Sequence, residues 1–277
     1  MSVQITASDV KKLRDTTGAG MMDCKKALTE AAGDLTKAVE ILRKKGQKLS
    51  EKRADREAKE GVVIAQVTGD NSRGIVIRLS SETDFVAKNE DFINLTKKIA
   101  GIALDKFPAT RDELLATDFG GISIGEKVIE QTGVIGEKIE LTAYERLEAP
   151  LVAQYIHMGN KAGVLVALNK ASDSFITPAR DVAMQVAAMK PIAVNQDGIS
   201  QEVIDKEIEI GKEIARKAGK PDEMLERIAT GKLNKFFKEN TLLNQAFVKD
   251  NKQSVEAFLK SVDPELTVVD FKHVKLG

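Results

Sequence analysis

The chain has 277 residues, of which 42% are hydrophobic and 30% charged, so it is long enough for about two or three domains with buried cores. Its 42 basic and 42 acidic side chains cancel, which argues against a surface that binds phosphate backbones throughout, although a local basic patch stays compatible with this balance. No run of about 18 apolar residues and no signal peptide at residues 1–6 is found, so we expect a cytoplasmic protein without a membrane span. The single cysteine, Cys24, excludes an internal disulfide and a cysteine-based zinc site.

The first 46 residues predict a three-helix bundle. A capping box begins at Thr6, glycines interrupt the helical pattern twice, and Gly46 closes the third predicted helix. A core of this size lies near the lower limit for independent stability, so we expect residues 1–46 to dock on a partner. Met21 and Met22 suit either the bundle core or a partner-facing surface.

The middle of the chain contains a degenerate repeat. Residues 47–60 are almost all polar with charges of both signs, which predicts a linker, helical or flexible. Two strand–turn–strand patterns, at residues 61–79 and 150–168, are each followed by a helical pattern. The predicted fold class is therefore α+β, with two related subdomains at residues 61–149 and 150–277.

An antiparallel helical hairpin is predicted inside the second subdomain, at about residues 201–237. Apolar residues recur at alternating four- and three-residue spacings from Ile204 to Ala218, and Gly219 begins the turn. Each arm of about 18 residues would span roughly 27 Å at the helical rise. Such a thin coiled coil could project as a contact arm or fold back on the core. The chain then predicts a helix from Ser254 and a final strand at residues 266–274.

The segment Thr83-Asp84-Phe85-Val86 is the candidate binding site. It follows an apolar strand pattern and precedes a helical one, so a carboxylate and a large aromatic ring lie on a strand-to-helix turn. Exposed aromatic residues on such turns are frequent binding hot spots. The alternative is that Phe85 completes the local core and Asp84 caps the following helix.

The sequence predicts no catalytic residue, no metal site and no cofactor. Only two histidines occur, His157 and His273, and the chain has no paired cysteines, zinc-binding helix motif or nucleophile elbow. Residues 120–127 superficially resemble a phosphate-binding loop, but Glu126 stands where that loop needs a lysine.

Four segments together closely resemble bacterial elongation factor Ts. They are Thr17–Leu28, Glu82–Val86, Tyr155–His157 and Val182–Ala188, and the likeness covers almost the whole chain in the same order. The resemblance implies a guanine nucleotide exchange factor, not an enzyme, that binds elongation factor Tu in its GDP-bound and nucleotide-free forms during translation elongation. It also implies that the N-terminal bundle is similar to a ubiquitin-associated domain and docks on the partner's nucleotide-binding domain.

The resemblance also assigns expected roles to single residues. By motif matching, Thr83–Val86 would disturb the partner's magnesium site, while Tyr155 and His157 would lie on another partner-facing surface and Val248 would make a further contact. Some members of the family continue into a C-terminal helix that contacts the partner, and because this chain stops at Gly277 we expect that contact to be absent.

Two other functional classes are compatible with parts of the sequence. A ribosome- or RNA-associated protein would use Arg43-Lys44-Lys45 and the linker, but the neutral charge balance argues against direct nucleic-acid binding. A small-molecule enzyme working through Asp84 or His157 would need a deep pocket around a perturbed acid or base.

Overall fold

The computed structural model describes residues 4–277, so the first three residues of the predicted bundle and of the segment judged to lack a signal peptide lie outside it. Its contacts divide the chain into two compact units. Unit 1 consists of the described part of Met1–Ile64 together with Val76–Glu145 and Val274–Gly277, and unit 2 consists of Ala65–Ile75 and Arg146–His273. Across residues 4–277, every helix is too short or too polar to cross a bilayer.

The chain is mixed helix and sheet, which confirms the α+β class. In chain order the helices are α1 (Ala7–Thr17), α2 (Met21–Glu30), α3 (Leu35–Lys52), α4 (Asp84–Ala87), α5 (Glu90–Lys106), α6 (Arg111–Ala116), α7 (Ile124–Ile135), α8 (Ile176–Met189), α9 (Gln201–Lys217), α10 (Asp222–Asn240) and α11 (Val255–Val262). The strands are β1 (Glu60–Val67), β2 (Arg73–Ser81), β3 (Glu140–Glu148), β4 (Leu151–His157), β5 (Ala162–Leu168), β6 (Ala246–Phe247), β7 (Asp250–Ser254) and β8 (Val268–Lys275). They form sheets in the orders β1-β2-β3, β4-β5-β8 and β6-β7.

Helices α1 to α3 form the predicted N-terminal bundle. The Thr6 side chain accepts a hydrogen bond from the Asp9 N–H while the Asp9 carboxylate accepts from the Thr6 N–H, which completes the predicted capping box. Small and aliphatic side chains fill the core between the three helices, among them Leu13, Cys24 and Leu28. Burial raises the pKa of the Cys24 thiol, because water no longer solvates its thiolate.

The expected end of the third helix at Gly46 is wrong. Helix α3 continues to Lys52, and Gly46 is buried against Gly133 of α7. A Cβ atom added at Gly133 would lie 2.7 Å from the Gly46 Cα, so the two helix backbones approach closely only because both residues are glycines. This packing outweighs the weak helix propensity of Gly46, and the first part of the predicted linker is therefore helical.

Helix α7 was not predicted. Two glycines, Gly125 and Gly133, weaken its pattern, yet Ser123 and Glu126 form a capping box that marks its start. Helix α7 ends at Ile135, and the left-handed backbone of its C-cap residue Gly136 (φ 84°) suits glycine. The chain leaves this helix at Glu137, which contacts the candidate binding segment.

In unit 2, the predicted second hairpin is present as β4 and β5, which pair antiparallel from Leu151 opposite Leu168 to His157 opposite Ala162. Helix α8 packs on both strands and contributes Val182, Ala183 and Val186 to the buried core. This helix and the two strands match the predicted strand, strand, helix order.

The antiparallel hairpin of α9 and α10 confirms the predicted insertion. The two helices pack mainly against each other, and Gly211 lies so near Ala229 that an added Cβ would be 3.0 Å from the Ala229 Cα. The Lys212 ammonium contacts Glu226 at 2.6 Å across the pair. Ala218 does not belong to the seam as predicted, because α9 ends at Lys217 and Ala218 is exposed.

Candidate partner-binding site

The candidate segment forms a one-turn helix, α4, between β2 and α5. Phe85 is 83% exposed, so the alternative that it completes the local core is wrong. Phe92, the first large apolar residue of α5, fills that core instead. Thr83 stands at the N-cap of α4 and Asn89 at the N-cap of α5, so the alternative that Asp84 caps the following helix is also wrong.

Thr83 is anchored by the carboxylate of Glu137. Its backbone N–H donates to Glu137 Oε2 at 3.0 Å, and its hydroxyl donates to Glu137 Oε1 at 2.7 Å. The Ser81 hydroxyl also donates to the Thr83 carbonyl oxygen at 3.0 Å. Hydrogen bonds to a charged group are stronger than neutral ones, so the Glu137 carboxylate fixes the backbone at the start of the turn that carries Phe85.

Glu82 ties the same turn to the end of α3. Its carboxylate contacts the Arg53 guanidinium at 2.6 Å and accepts from the Lys138 backbone N–H at 2.6 Å. Burial raises the pKa of the Glu82 carboxyl, but the Lys138 N–H and the Arg53 charge outweigh it and hold the pKa below its ordinary value. Glu82 is therefore a partly buried anion that is paired with both Arg53 and the Lys138 backbone.

The two residues around Phe85 differ in their surroundings. The Asp84 carboxylate contacts the Lys88 ammonium at 2.5 Å, and this hydrogen bond raises the pKa of Lys88. Val86 is half-buried and borders an open groove that Leu95 and Phe119 also line. An exposed ring beside a solvated ion pair favours a protein-binding surface over a catalytic pocket.

Tyr155 and His157 lie on one face of β4. The Tyr155 hydroxyl is 3.2 Å from His157 Nδ1, and the two ring centroids are 5.8 Å apart. Tyr155 packs against the core of unit 2, whereas His157 is half-exposed at the end of the strand. The tyrosine thus orients the imidazole beside the turn that follows it.

Val248 lies between β6 and β7 and is 44% exposed. Its N–H donates to the side-chain oxygen of Gln185 at 2.8 Å. Thr83–Val86 belong to unit 1, while Tyr155, His157 and Val248 belong to unit 2. A hydrogen bond joins Tyr155 to His157, whereas Val248 is hydrogen-bonded to Gln185. The Tyr155–His157 pair and Val248 are therefore separate candidate contacts.

Comparison with known proteins gives a consistent result. A family model described as Elongation factor TS matches residues 82–277. Over 274 residues the chain is 57% identical to Elongation factor Ts of Christiangramia forsetii, with 99% of each chain covered. This chain belongs to the elongation factor Ts family. Elongation factor Ts of Flavobacterium psychrophilum is 53% identical over 273 residues and that of Amoebophilus asiaticus is 50% identical over 274, again with 99% of each chain covered.

In this member of the elongation factor Ts family, exposure decides between the two alternatives for the methionines of α2. Met21 and Met22 are both exposed at the start of α2, so they do not fill the bundle core. No cluster of three or more histidine, cysteine or carboxylate side chains within residues 4–277 is arranged to hold a metal ion.

Sequence reasoning missed several residues that shape these surfaces. Glu137 and Arg53 are far from Thr83 and Glu82 in sequence, and nothing in their local pattern marks the contacts. Met158 is 70% exposed in a turn where Met158, Gly159 and Asn160 all have positive φ (50°, 63° and 69°). The sequence predicted this turn between the two strands of the second hairpin, but not the exposure of Met158 in it.

Proposed function

We propose that the chain is a guanine nucleotide exchange factor for elongation factor Tu in translation elongation, acting in the cytoplasm. It would bind the GDP complex, disturb the partner's Mg²⁺ site and promote GDP release, without making or breaking a covalent bond. The exposed Phe85 ring on a turn anchored by Glu137 is the observation that supports this most directly. Membership in the elongation factor Ts family supports the choice of partner.

The physical basis of exchange is reciprocal linkage. If the chain binds nucleotide-free elongation factor Tu more tightly than the GDP complex, the affinity of elongation factor Tu for GDP must fall by the same factor. The Mg²⁺ ion bridges the nucleotide phosphates to the protein that binds them, so a displaced ion weakens the attraction for GDP. Abundant GTP can then displace the factor.

Phe85 and Asp84 would contribute in different ways. Burying a phenylalanine side chain fully is worth about 1.5–3 kcal/mol, and this ring does not realise that free energy in the free protein. Insertion between helices of the partner would recover it. Glu137 already holds the turn in the free protein, so binding would order little further backbone. The entropic cost of binding at this turn would therefore be small. Asp84 would supply charge and hydrogen bonds, since its exposed pair with Lys88 exchanges readily for partner groups.

The remaining candidates would supply further contact area. Tyr155, His157 and Val248 would bind the same partner, and residues 1–46, with Met21 and Met22 exposed, would dock on its nucleotide-binding domain. For this role we propose four parts of the chain: the bundle, a linker at residues 47–60, and two subdomains at residues 61–149 and 150–277. The linker is helical as far as Lys52.

The test is release of a fluorescent GDP analogue from elongation factor Tu in the presence of Mg²⁺ and catalytic amounts of this protein. Phe85→Ala should slow catalysed release by about 10- to 100-fold, as expected for a central interface aromatic, and Asp84→Ala should also slow it. Val269→Ala is a matched control, because Val269 is an exposed apolar residue outside the candidate set.

Two results would count against the proposal at different levels. Near-normal catalysis by both variants would remove Asp84 and Phe85 from the mechanism. No acceleration by the unmodified protein, with an active partner, would reject the exchange function itself.

A further inference from the structure

A fully buried glutamine on α8 holds the segment that carries Val248. Gln185 is 0% exposed, and its amide nitrogen donates to the carbonyl oxygen of Ala246 and to Gln245 Oε1, each at 3.1 Å. Its amide oxygen accepts from the Val248 N–H at 2.8 Å. Both N–H donors and the oxygen of this side chain are therefore used on residues 245–248.

The second glutamine extends this network to two helix ends. Gln245 is 1% exposed, and its amide nitrogen donates to the carbonyl oxygens of Glu239 at 2.9 Å and Met189 at 3.5 Å. These carbonyls belong to the last turns of α10 and α8, where helix carbonyl groups lack partners within their own helix. The glutamine pair thus joins α8, α10 and the Val248 segment.

The exposure of Val248 depends on this backbone arrangement. Its neighbour Phe247 is buried and stacks on Phe258 with ring centroids 4.2 Å apart. The Gln185 amide fixes the backbone on both sides of Phe247, at Ala246 and at Val248. With Phe247 held inward and the next N–H held by Gln185, the Val248 side chain stays accessible.

Packing alone does not require two amides at this position. Burying an amide costs free energy unless its hydrogen bonds are all made, and an apolar pair of similar volume would fill the same space without that cost. Directional hydrogen bonds specify one backbone position, which apolar contacts do not.

We infer that Gln185 is a positioning residue, which acts through its hydrogen bond to Val248 to present that side chain to the protein partner. The inference rests on the proposed function, because it takes Val248 as a contact with elongation factor Tu. Within the Val182–Ala188 segment, it gives a role to Gln185 alone.

The test is a double-mutant cycle on affinity for nucleotide-free elongation factor Tu. Val248→Ala and Gln185→Met should each weaken binding by about 5-fold, and the double variant should lose no more than about 10-fold, because both remove the same contact. In Gln185→Met, amide hydrogen exchange at Val248 should quicken by at least about 10-fold. Val182→Ala, which truncates a buried α8 side chain not bonded to residues 245–248, should leave both readouts near those of the unmodified protein.

Other outcomes overturn the inference and are distinguishable from failure of the proposed function. If the unmodified protein binds but the double variant shows the full product of about 25-fold, or Val248 exchange is unchanged, Gln185 has a structural role only. If Val248→Ala alone binds normally, there is no contact to position, although exchange activity is intact. If the unmodified protein does not bind elongation factor Tu, the proposed function fails first.

Discussion

Phe85 can remain exposed because hydrogen bonds and an ion pair of the preceding residues stabilise the turn that carries it. A one-turn helix is not stable alone, because nucleation fixes several backbone dihedrals for a single hydrogen bond. Glu137 satisfies the N-cap residue Thr83 and Glu82 binds Arg53, so two carboxylates hold the turn that α4 continues. These contacts replace the core packing that Phe85 does not make.

Removing the Glu137 carboxylate should loosen the turn without touching the ring. Glu137→Ala leaves the Thr83 N–H and hydroxyl without their acceptors, which costs about 1–2 kcal/mol for hydrogen bonds of this kind. Catalysed GDP release should fall by about 5- to 30-fold. Glu145→Ala, which removes an exposed carboxylate of β3, is the control and should keep normal activity. Equal activity of the two variants would show that the turn does not need its anchor.

The Glu82 carboxyl predicts a pH dependence of stability. Its folded pKa lies below the ordinary value of 4.5, so the unfolded chain takes up a proton at higher pH than the folded one. The contribution of Glu82 is therefore complete above about pH 4.5 and is lost as the pH falls through the lower folded pKa. Glu82→Gln should lower the free energy of unfolding at neutral pH by about 1–3 kcal/mol.

Urea unfolding between pH 3 and pH 7 measures both effects. The unmodified protein should lose stability more steeply with acid than Glu82→Gln does, while Glu145→Gln should keep the steeper profile. Parallel profiles for the unmodified protein and Glu82→Gln would contradict the assigned pKa.

At the residue scale, the sequence predicted the position of the turn but not whether the Phe85 ring on it is buried or exposed. Phe85 and Phe92 are both candidates for the same local core, and the choice of Phe92 depends on how α5 packs. The partners Glu137 and Arg53 come from distant positions, so no local pattern indicates them.

At the scale of elements, the contact of α3 with α7 extends the N-terminal bundle. Gly46 and Gly133 let the two helices approach, and α3 continues until its C-cap residue Arg53 reaches Glu82. Helix α3 therefore begins in the bundle, and its C-cap residue Arg53 contacts Glu82, the residue before Thr83. The segment expected to be a linker carries a direct connection to the candidate site.

A methyl group at this contact should separate the helices. In Gly133→Ala, the new Cβ would meet the Gly46 Cα at 2.7 Å, and relief requires a backbone shift that costs about 1–3 kcal/mol of unfolding free energy. Gly101→Ala in α5 is the matched control, since a Cβ there meets nothing within 4 Å. That variant should be neutral or more stable by up to about 1 kcal/mol.

Urea unfolding of the two variants distinguishes the contact from a general effect of alanine. A loss in Gly133→Ala with no loss in Gly101→Ala is the expected result. Similar stabilities would mean that α3 and α7 tolerate a wider separation.

Elements with strong periodicity were predictable, and those set by tertiary contacts were not. Strands β1 and β5 follow from β-branched runs, and α9 follows from its four- and three-residue spacing. Helix α7 was missed because its glycines lower the helical signal, although the Ser123 capping box was available. The end of α3 was missed because Gly133, which Gly46 contacts, lies 87 positions along the chain (133 − 46).

At the scale of the whole molecule, the α+β class and the order of elements were predictable, whereas the composition of the units was not. Unit 1 includes the last four residues, Val274–Gly277, and within it the Arg78 guanidinium donates to the Lys275 carbonyl oxygen at 2.8 Å. A hydrogen bond between residues so far apart in sequence forms only in the folded chain, so no local sequence pattern indicates it. Each unit carries its own candidate residues, so two separate parts of the chain would bind the partner.

If this protein promotes exchange as proposed, its binding and GDP binding to elongation factor Tu must weaken each other, and a thermodynamic cycle measures this coupling. Calorimetry would give the Kd of this protein for elongation factor Tu with and without saturating GDP, and the Kd of GDP with and without saturating protein. We expect GDP to weaken binding of this protein by at least about 10-fold and the protein to weaken GDP binding by the same factor. Equal affinities in the presence and absence of GDP would contradict it.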